Sequence, residues 1–182
     1  ARDSLLGRDV ALKRCAAPAD EPLLWEEARR LSRLLDPHVV ALFDVHAGPP
    51  LTLVLQHLAG RTLRAHLSSV PRLPLAAVRP LARDLLAALQ AVHGAGIVHG
   101  DVKPENLWVT PEGRLMLLDL GALGDVTALY QAPETLTGPL SPAADLYSAG
   151  VVIYEMLAGC PPYDATDPLE LATRKRTHAV RP

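Results

Sequence analysis

The eight residues His-Gly-Asp-Val-Lys-Pro-Glu-Asn, at 99–106, set an aspartate, Asp101, two positions before Lys103 and five before Asn106. Thirteen residues beyond Asn106 comes Asp119, in the run Leu-Leu-Asp-Leu-Gly. Each group follows a short apolar run, Ile97-Val98 or Leu115–Leu118, so each is expected at the end of a strand. Two hard oxygen ligands from separate turns, beside a third carboxylate with no apparent partner, suit phosphoryl transfer. Magnesium takes few protein ligands and fills its other positions with nucleotide phosphates, while the third carboxylate can accept a hydroxyl proton. Aspartate and asparagine also cap turns without any chemistry. One such residue alone would favour the plainer reading; the whole set at this spacing favours a site.

The elements that must hold these groups can be read from periodicity. Residues 9–15, 39–45 and 51–57 carry short apolar runs and read as strands. A helix is expected over 22–35, with Pro22 in its first turn and Asp36-Pro37 ending it. Val78, Leu81, Leu85, Leu89 and Val92 recur at helical spacing, with Pro80 expected as an early kink and Gly94 and Gly96 as the stop. Short apolar runs at 107–109 and 115–118 flank a Pro-Glu-Gly turn, and a nearly all-apolar helix is expected over 142–158, ending at Gly159. The fold class is therefore α+β: a small β-rich part with one helix, 1–58, and a larger helical part, 59–182, hinged near 56–61. Such a cleft is where a ligand is expected.

Bulk numbers narrow the function. The chain has 182 residues, 49% of them hydrophobic and 21% charged, which is a folded and not a disordered composition. A net charge of −2 argues against a general binder of nucleic acid or anionic membranes. Cys15 and Cys160 follow no metal spacing, so a reducing, cytoplasmic setting is the default expectation. No apolar run is long enough to span a bilayer.

The catalytic string resembles that of eukaryotic-type serine/threonine protein kinases of the kind bacteria carry, and Asp119-Leu120-Gly121 resembles their magnesium-binding motif. The similarity extends in order along nearly the whole chain. VALK at 10–13 looks like the strand with the phosphate-binding lysine, TALYQAPE at 127–134 like the end of the activation segment, and DLYSAGVVIYEMLAGCPPYD at 145–164 like the central helix. The resemblance implies a two-lobed kinase fold using ATP and Mg2+ to phosphorylate serine or threonine on a protein substrate, in signal transduction. It implies that Asp101 orients the hydroxyl, Lys103 steadies the transferred phosphate, and Asn106 and Asp119 hold magnesium. Lys13 would grip the phosphates, Ala11 would lie above the adenine, and Gln56 and Leu58 would offer hinge backbone. Leu55 would guard the rear pocket, and Thr127 would bond Asp101 and Lys103. His99 and Asp145 would brace the loop from inside, with Leu31 and Leu120 in the column linking the lobes. Glu27 is also reached physically. It lies three or four residues from Leu23, Leu24 and Leu31, on the apolar stripe, where a carboxylate needs a cation, and Lys13 is the natural one. Glu26 instead faces Arg29, Arg30 and Arg33 and is expected in solvent.

Four departures from the family pattern carry their own expectations. The glycine-rich phosphate-covering loop is expected upstream of Ala1. The last helices, with the arginine that would pair with Glu134, are expected beyond Pro182. Gly100 replaces the arginine that receives an activation-loop phosphate, and only 122–126 separate Asp119-Leu120-Gly121 from Thr127. Together these predict a kinase not switched by phosphorylation of that loop. Trp108 stands where the family places a smaller residue under the adenine, where it could stack on the purine or fill the pocket. Two alternatives follow: a pseudokinase scaffold, and a small-molecule phosphotransferase of the aminoglycoside-phosphotransferase kind, which shares His-Gly-Asp. Arg174-Lys175-Arg176 reads as a solvated face or the start of a linker.

Overall fold

The computed structural model describes residues 1–70, 72–120, 128–163 and 167–177, with the backbone alone at 136, 168, 169 and 172. The first part is a four-stranded antiparallel sheet in the order β1-β2-β4-β3. Its strands are β1 (Arg2–Asp3), β2 (Arg8–Arg14), β3 (Leu42–His46) and β4 (Thr52–Gln56). In β2, Ala11 and Lys13 are half-buried while Leu12 and Arg14 are exposed, the alternation a strand imposes. Register pairs Ala11 with Leu55 and Lys13 with Leu53, which fixes both residues on the face toward the second part.

The strand expected over 39–45 begins only at Leu42. Val39 and Val40, buried to 2% and 6% exposure, leave the small sheet and join the other half of the molecule. Val39 bridges Leu117 in parallel, the Leu117 N–H donates to the His38 carbonyl at 2.7 Å, and the Val40 N–H donates to the Leu117 carbonyl at 3.0 Å. Apolar β-branched residues satisfy a strand pattern in either sheet, so the pattern could not say which partner wins.

Helix α1 (Glu21–Leu31) starts with Pro22 in its first turn as expected, but stops four residues early. The Ser32 hydroxyl turns back onto the Arg29 carbonyl and the chain continues in single turns to Asp36-Pro37. Leu24, Glu27, Ala28 and Leu31 form the buried stripe, while Leu23, expected on it, is 40% exposed. Glu26 meets Arg29 and Arg30, but Arg33 donates to the Ala95 carbonyl instead.

The second part holds α2 (Leu63–Ser69), α3 (Leu75–Gly94), α4 (Pro142–Ala158) and α5 (Pro168–Thr177). A small sheet of β5 (Arg61–Thr62), β6 (Leu107–Val109) and β7 (Leu115–Leu117) lies beside them. Helix α3 runs through Pro80 as one element, because a proline near the start forgoes one bond and the long apolar face beyond it is buried. Helix α4 follows its sequence signature: the Ser141 hydroxyl caps the Ala144 N–H, Pro142 opens the first turn, and Gly159 ends it at φ 83°. One hydrophobic cluster runs through both parts, from Leu31, Leu53 and Leu55 to Leu89, Leu107, Leu120, Val152 and Met156. Among the described residues, no helix is long and apolar enough to cross a membrane.

Candidate active site

The catalytic loop is held by a closed ring of hydrogen bonds. The Asp101 N–H donates to Nδ1 of His99 (3.2 Å), and Nε2–H of His99 donates to the Leu118 carbonyl (3.0 Å). The Leu118 N–H donates to the Asn106 carbonyl (2.9 Å), and the Asn106 amide donates to the Asp101 carbonyl (2.9 Å). The two backbone partners assign the tautomer of His99, which is 1% exposed and neutral, its pKa pushed down by burial. Asp145, on the first turn of α4 and 2% exposed, braces the same loop from below. It accepts from the His99 N–H (2.9 Å), the Gly100 N–H (2.8 Å) and Nε2 of His93 (2.7 Å).

Gly100 sits at φ 79°, and a Cβ there would lie 2.7 Å from Cδ1 of Leu140. The left-handed backbone strains any side chain placed there, and Leu140, exposed and flexible at its tip, would have to move aside for one. An arginine at this position would carry that backbone strain.

Spacing alone gives Asp101 no apparent partner; among the described residues, two stand beside it. Lys103 Nζ stands 2.8 Å from its Oδ2, and the Asn106 amide nitrogen donates to the same oxygen at 2.9 Å. Five positions bring the asparagine back against the aspartate through the 3-10 turn Pro104–Asn106, which no helix or strand period reveals. Because the Asn106 nitrogen faces Asp101, its amide oxygen is turned to the other side, as a magnesium ligand needs.

Across the cleft, Lys13 Nζ donates to both oxygens of Glu27, at 2.9 and 2.8 Å, and also to Oδ1 of Asp119. Glu27 is 1% exposed. Burial pushes its pKa up, and the ammonium opposes that; the pKa of Lys13 is raised, with the charges of Asp119 and Glu27 outweighing desolvation. Asp119 adopts φ 50°, in the left-handed region, which a non-glycine residue keeps only where its surroundings impose it.

Ala11, Leu55, Gln56, Leu58, Trp108 and Asp119 line one cavity of about 210 Å3, with Val40, His57 and Leu118. The last three were not foreseen; Val40 is there because of its move to the second part, and Leu118 because it precedes Asp119. The Trp108 indole N–H donates to the Ala59 carbonyl at 2.9 Å, which fixes the ring as a wall of the cavity and leaves the space open. Thr127, and residues 122–126, lie outside the described residues.

Two further clusters escaped the sequence reading. Arg64 on α2 binds Glu105 (2.7 Å), Glu155 (2.7 Å) and the Tyr130 hydroxyl, which itself donates to Glu155 at 2.6 Å. The run 174–176, read as solvated, is the end of α5, and Lys175 and Arg176 both donate to backbone carbonyls in 128–133. Glu134 is exposed in this chain.

A small antiparallel sheet whose lysine pairs with a glutamate on the adjoining helix, set over a helical part with an Asp-Lys-Asn loop and a second aspartate, defines a two-lobed kinase-like fold. The model of the protein kinase domain matches residues 1–181, and the chain belongs to that family. It is 36% identical to the serine/threonine-protein kinase PknL of Mycobacterium bovis, over 95% of this chain and 48% of that protein. It is 32% identical to the serine/threonine-protein kinase PknB of Mycobacterium leprae, over 94% of this chain and 32% of that protein. A probable serine/threonine-protein kinase of Clostridium acetobutylicum is 32% identical over 100% of this chain and 31% of its own length. The chain thus spans about half or less of these relatives.

Proposed function

We propose that this chain is the catalytic part of a kinase that transfers the γ-phosphoryl group of ATP, with magnesium, to serine or threonine hydroxyls of proteins. The observation that carries it is Lys13 held between Glu27 and Asp119, in a fold that also sets Lys103 and Asn106 against Asp101. The cavity of about 210 Å3 has apolar walls from Ala11, Leu55, Leu58 and Trp108, which suit a flat base, and hinge backbone at Gln56 and Leu58. Magnesium would supply charge neutralisation at the phosphates, held by the Asn106 amide oxygen and by Asp119. Lys13 would draw the α- and β-phosphates in, and Lys103, already beside Asp101, would hold the γ-phosphate close to the attacking oxygen. Asp101 would orient the hydroxyl and take its proton. Transfer by such a site rests on positioning and charge, with no covalent intermediate. The named relatives, each a serine/threonine-protein kinase, support a protein as acceptor.

The test is magnesium-dependent transfer from ATP to a generic basic protein by the full-length protein, beside Asp101→Asn and Asp119→Asn. Each variant is expected to lose at least about a hundredfold in rate, the scale of a positioned proton acceptor or charge stabiliser. Transfer that survives in both variants, or goes to small alcohols and to no protein, overturns the reading.

A further inference from the structure

Lys175 is an ammonium group with an unusual set of partners. It projects from α5 and donates to the carbonyls of Ala128 (2.7 Å) and Gln131 (2.6 Å), with its Nζ 5.5 Å from the centre of the Tyr147 ring on α4. Among the described residues, two carbonyl dipoles and a ring face hold the charge, and no carboxylate joins them. The next residue, Arg176, donates to the Pro133 carbonyl at 3.0 Å. Three backbone oxygens of a six-residue stretch, 128–133, are therefore gripped by two consecutive cations of one helix.

That stretch lies next to the catalytic loop. Tyr130 reaches the loop's Glu105 through Arg64, and just beyond the stretch Leu140 sits on Gly100. Anything that moves 128–133 reshapes the surface beside Asp101, where an acceptor hydroxyl must arrive. Tyr130 anchors the stretch from one side, on α2 and α4; α5 anchors it from the other.

We propose that Lys175 is a positioning residue for the protein substrate: it fixes residues 128–131 so that the acceptor docks beside Asp101. The assignment rests on the reading of the chain as a protein kinase. The partners of Lys175, Ala128, Gln131 and Tyr147, are none of them in the lining of the nucleotide cavity, so it acts on the acceptor and leaves the nucleotide alone. The chemistry needed is a cationic donor able to serve two carbonyls. Arginine keeps that ability and methionine keeps only the length.

The experiment compares wild type, Lys175→Met and Lys175→Arg in the full-length protein, with transfer from MgATP to a generic basic protein. For Lys175→Met, KM for the protein is expected to rise about tenfold, equivalent to about 1.4 kcal/mol, while KM for ATP stays within about twofold. Lys175→Arg is expected to recover most of the loss. A Lys175→Met protein with an unchanged KM for the acceptor, or one whose KM for ATP rises equally, overturns the inference. So does a failure of arginine to rescue a folded variant, shown by an unfolding midpoint equal to that of wild type. If wild type itself transfers nothing to protein, the kinase reading fails first and takes this inference with it.

Discussion

His99 occupies the point where catalysis and stability meet, since both its nitrogens are committed in the ring around Asp101. Burial lowers its pKa, so the folded chain resists a proton that the unfolded chain takes up below about 6.5. Between those two values the unfolded state binds more protons, so stability is full above about 6.5 and falls as the pH falls. Protonation would also turn Nδ1 into a donor facing the Asp101 N–H. Denaturant midpoints at pH 7.5 and 5.5 should show the loss, at a slope of up to about 1.4 kcal/mol per pH unit. His99→Asn should be less stable at neutral pH yet show a shallower decline; an equal decline would remove His99 as its source. The types and spacings of Asp101, Lys103, Asn106 and Asp119 were readable because chemistry restricts them. The partners of Asp101 were not, since a 3-10 turn of three residues leaves no periodic trace.

Arg64 shows what one helix contributes that its sequence conceals. Helix α2 is short, capped by Thr62 and closed within seven residues, with no long apolar stripe to announce it. Yet its arginine joins the catalytic loop at Glu105, α4 at Glu155 and the 128–133 stretch at Tyr130. The Tyr130 hydroxyl, buried and donating to Glu155, has its pKa pushed well above its usual range. Arg64→Met would leave the buried Glu155 carboxylate with the phenol alone, at a cost of about 2 kcal/mol. Arg64→Lys should lie between the two, because a point charge cannot serve three partners set along a planar fork. Urea midpoints of the three proteins check the order, and a methionine variant as stable as wild type would reduce the cluster to surface decoration. At this scale the sequence located β2, β4, α4 and the β6–β7 hairpin closely, where caps and turn residues mark the ends. It misplaced the start of β3 and the end of α1, because Val39, Val40 and Ser32 answer to partners far along the chain.

Over the whole molecule, the two parts share one hydrophobic cluster and are stitched together by backbone at 38–40 and Leu117, by Lys13 with Asp119, and by Arg33 with the Ala95 carbonyl. Gly100 leaves the catalytic loop without the arginine that would receive a phosphate on the segment after Asp119. The expected outcome is a kinase indifferent to the phosphorylation state of the segment after Asp119. Phosphatase treatment should change its rate of transfer by less than about twofold, whereas an arginine-gated kinase of this chemistry would lose most of its activity. A large loss, restored by rephosphorylation of that segment, would refute this. Gly100 then sets a limit on descent as well as on control. A single codon change can write arginine at 100, but the protein it encodes must hold that side chain on a left-handed backbone and push the tip of Leu140 aside. Arginine written at 100 would thus lower stability before any phosphate was there to reward it, by about 1 kcal/mol for the left-handed backbone alone.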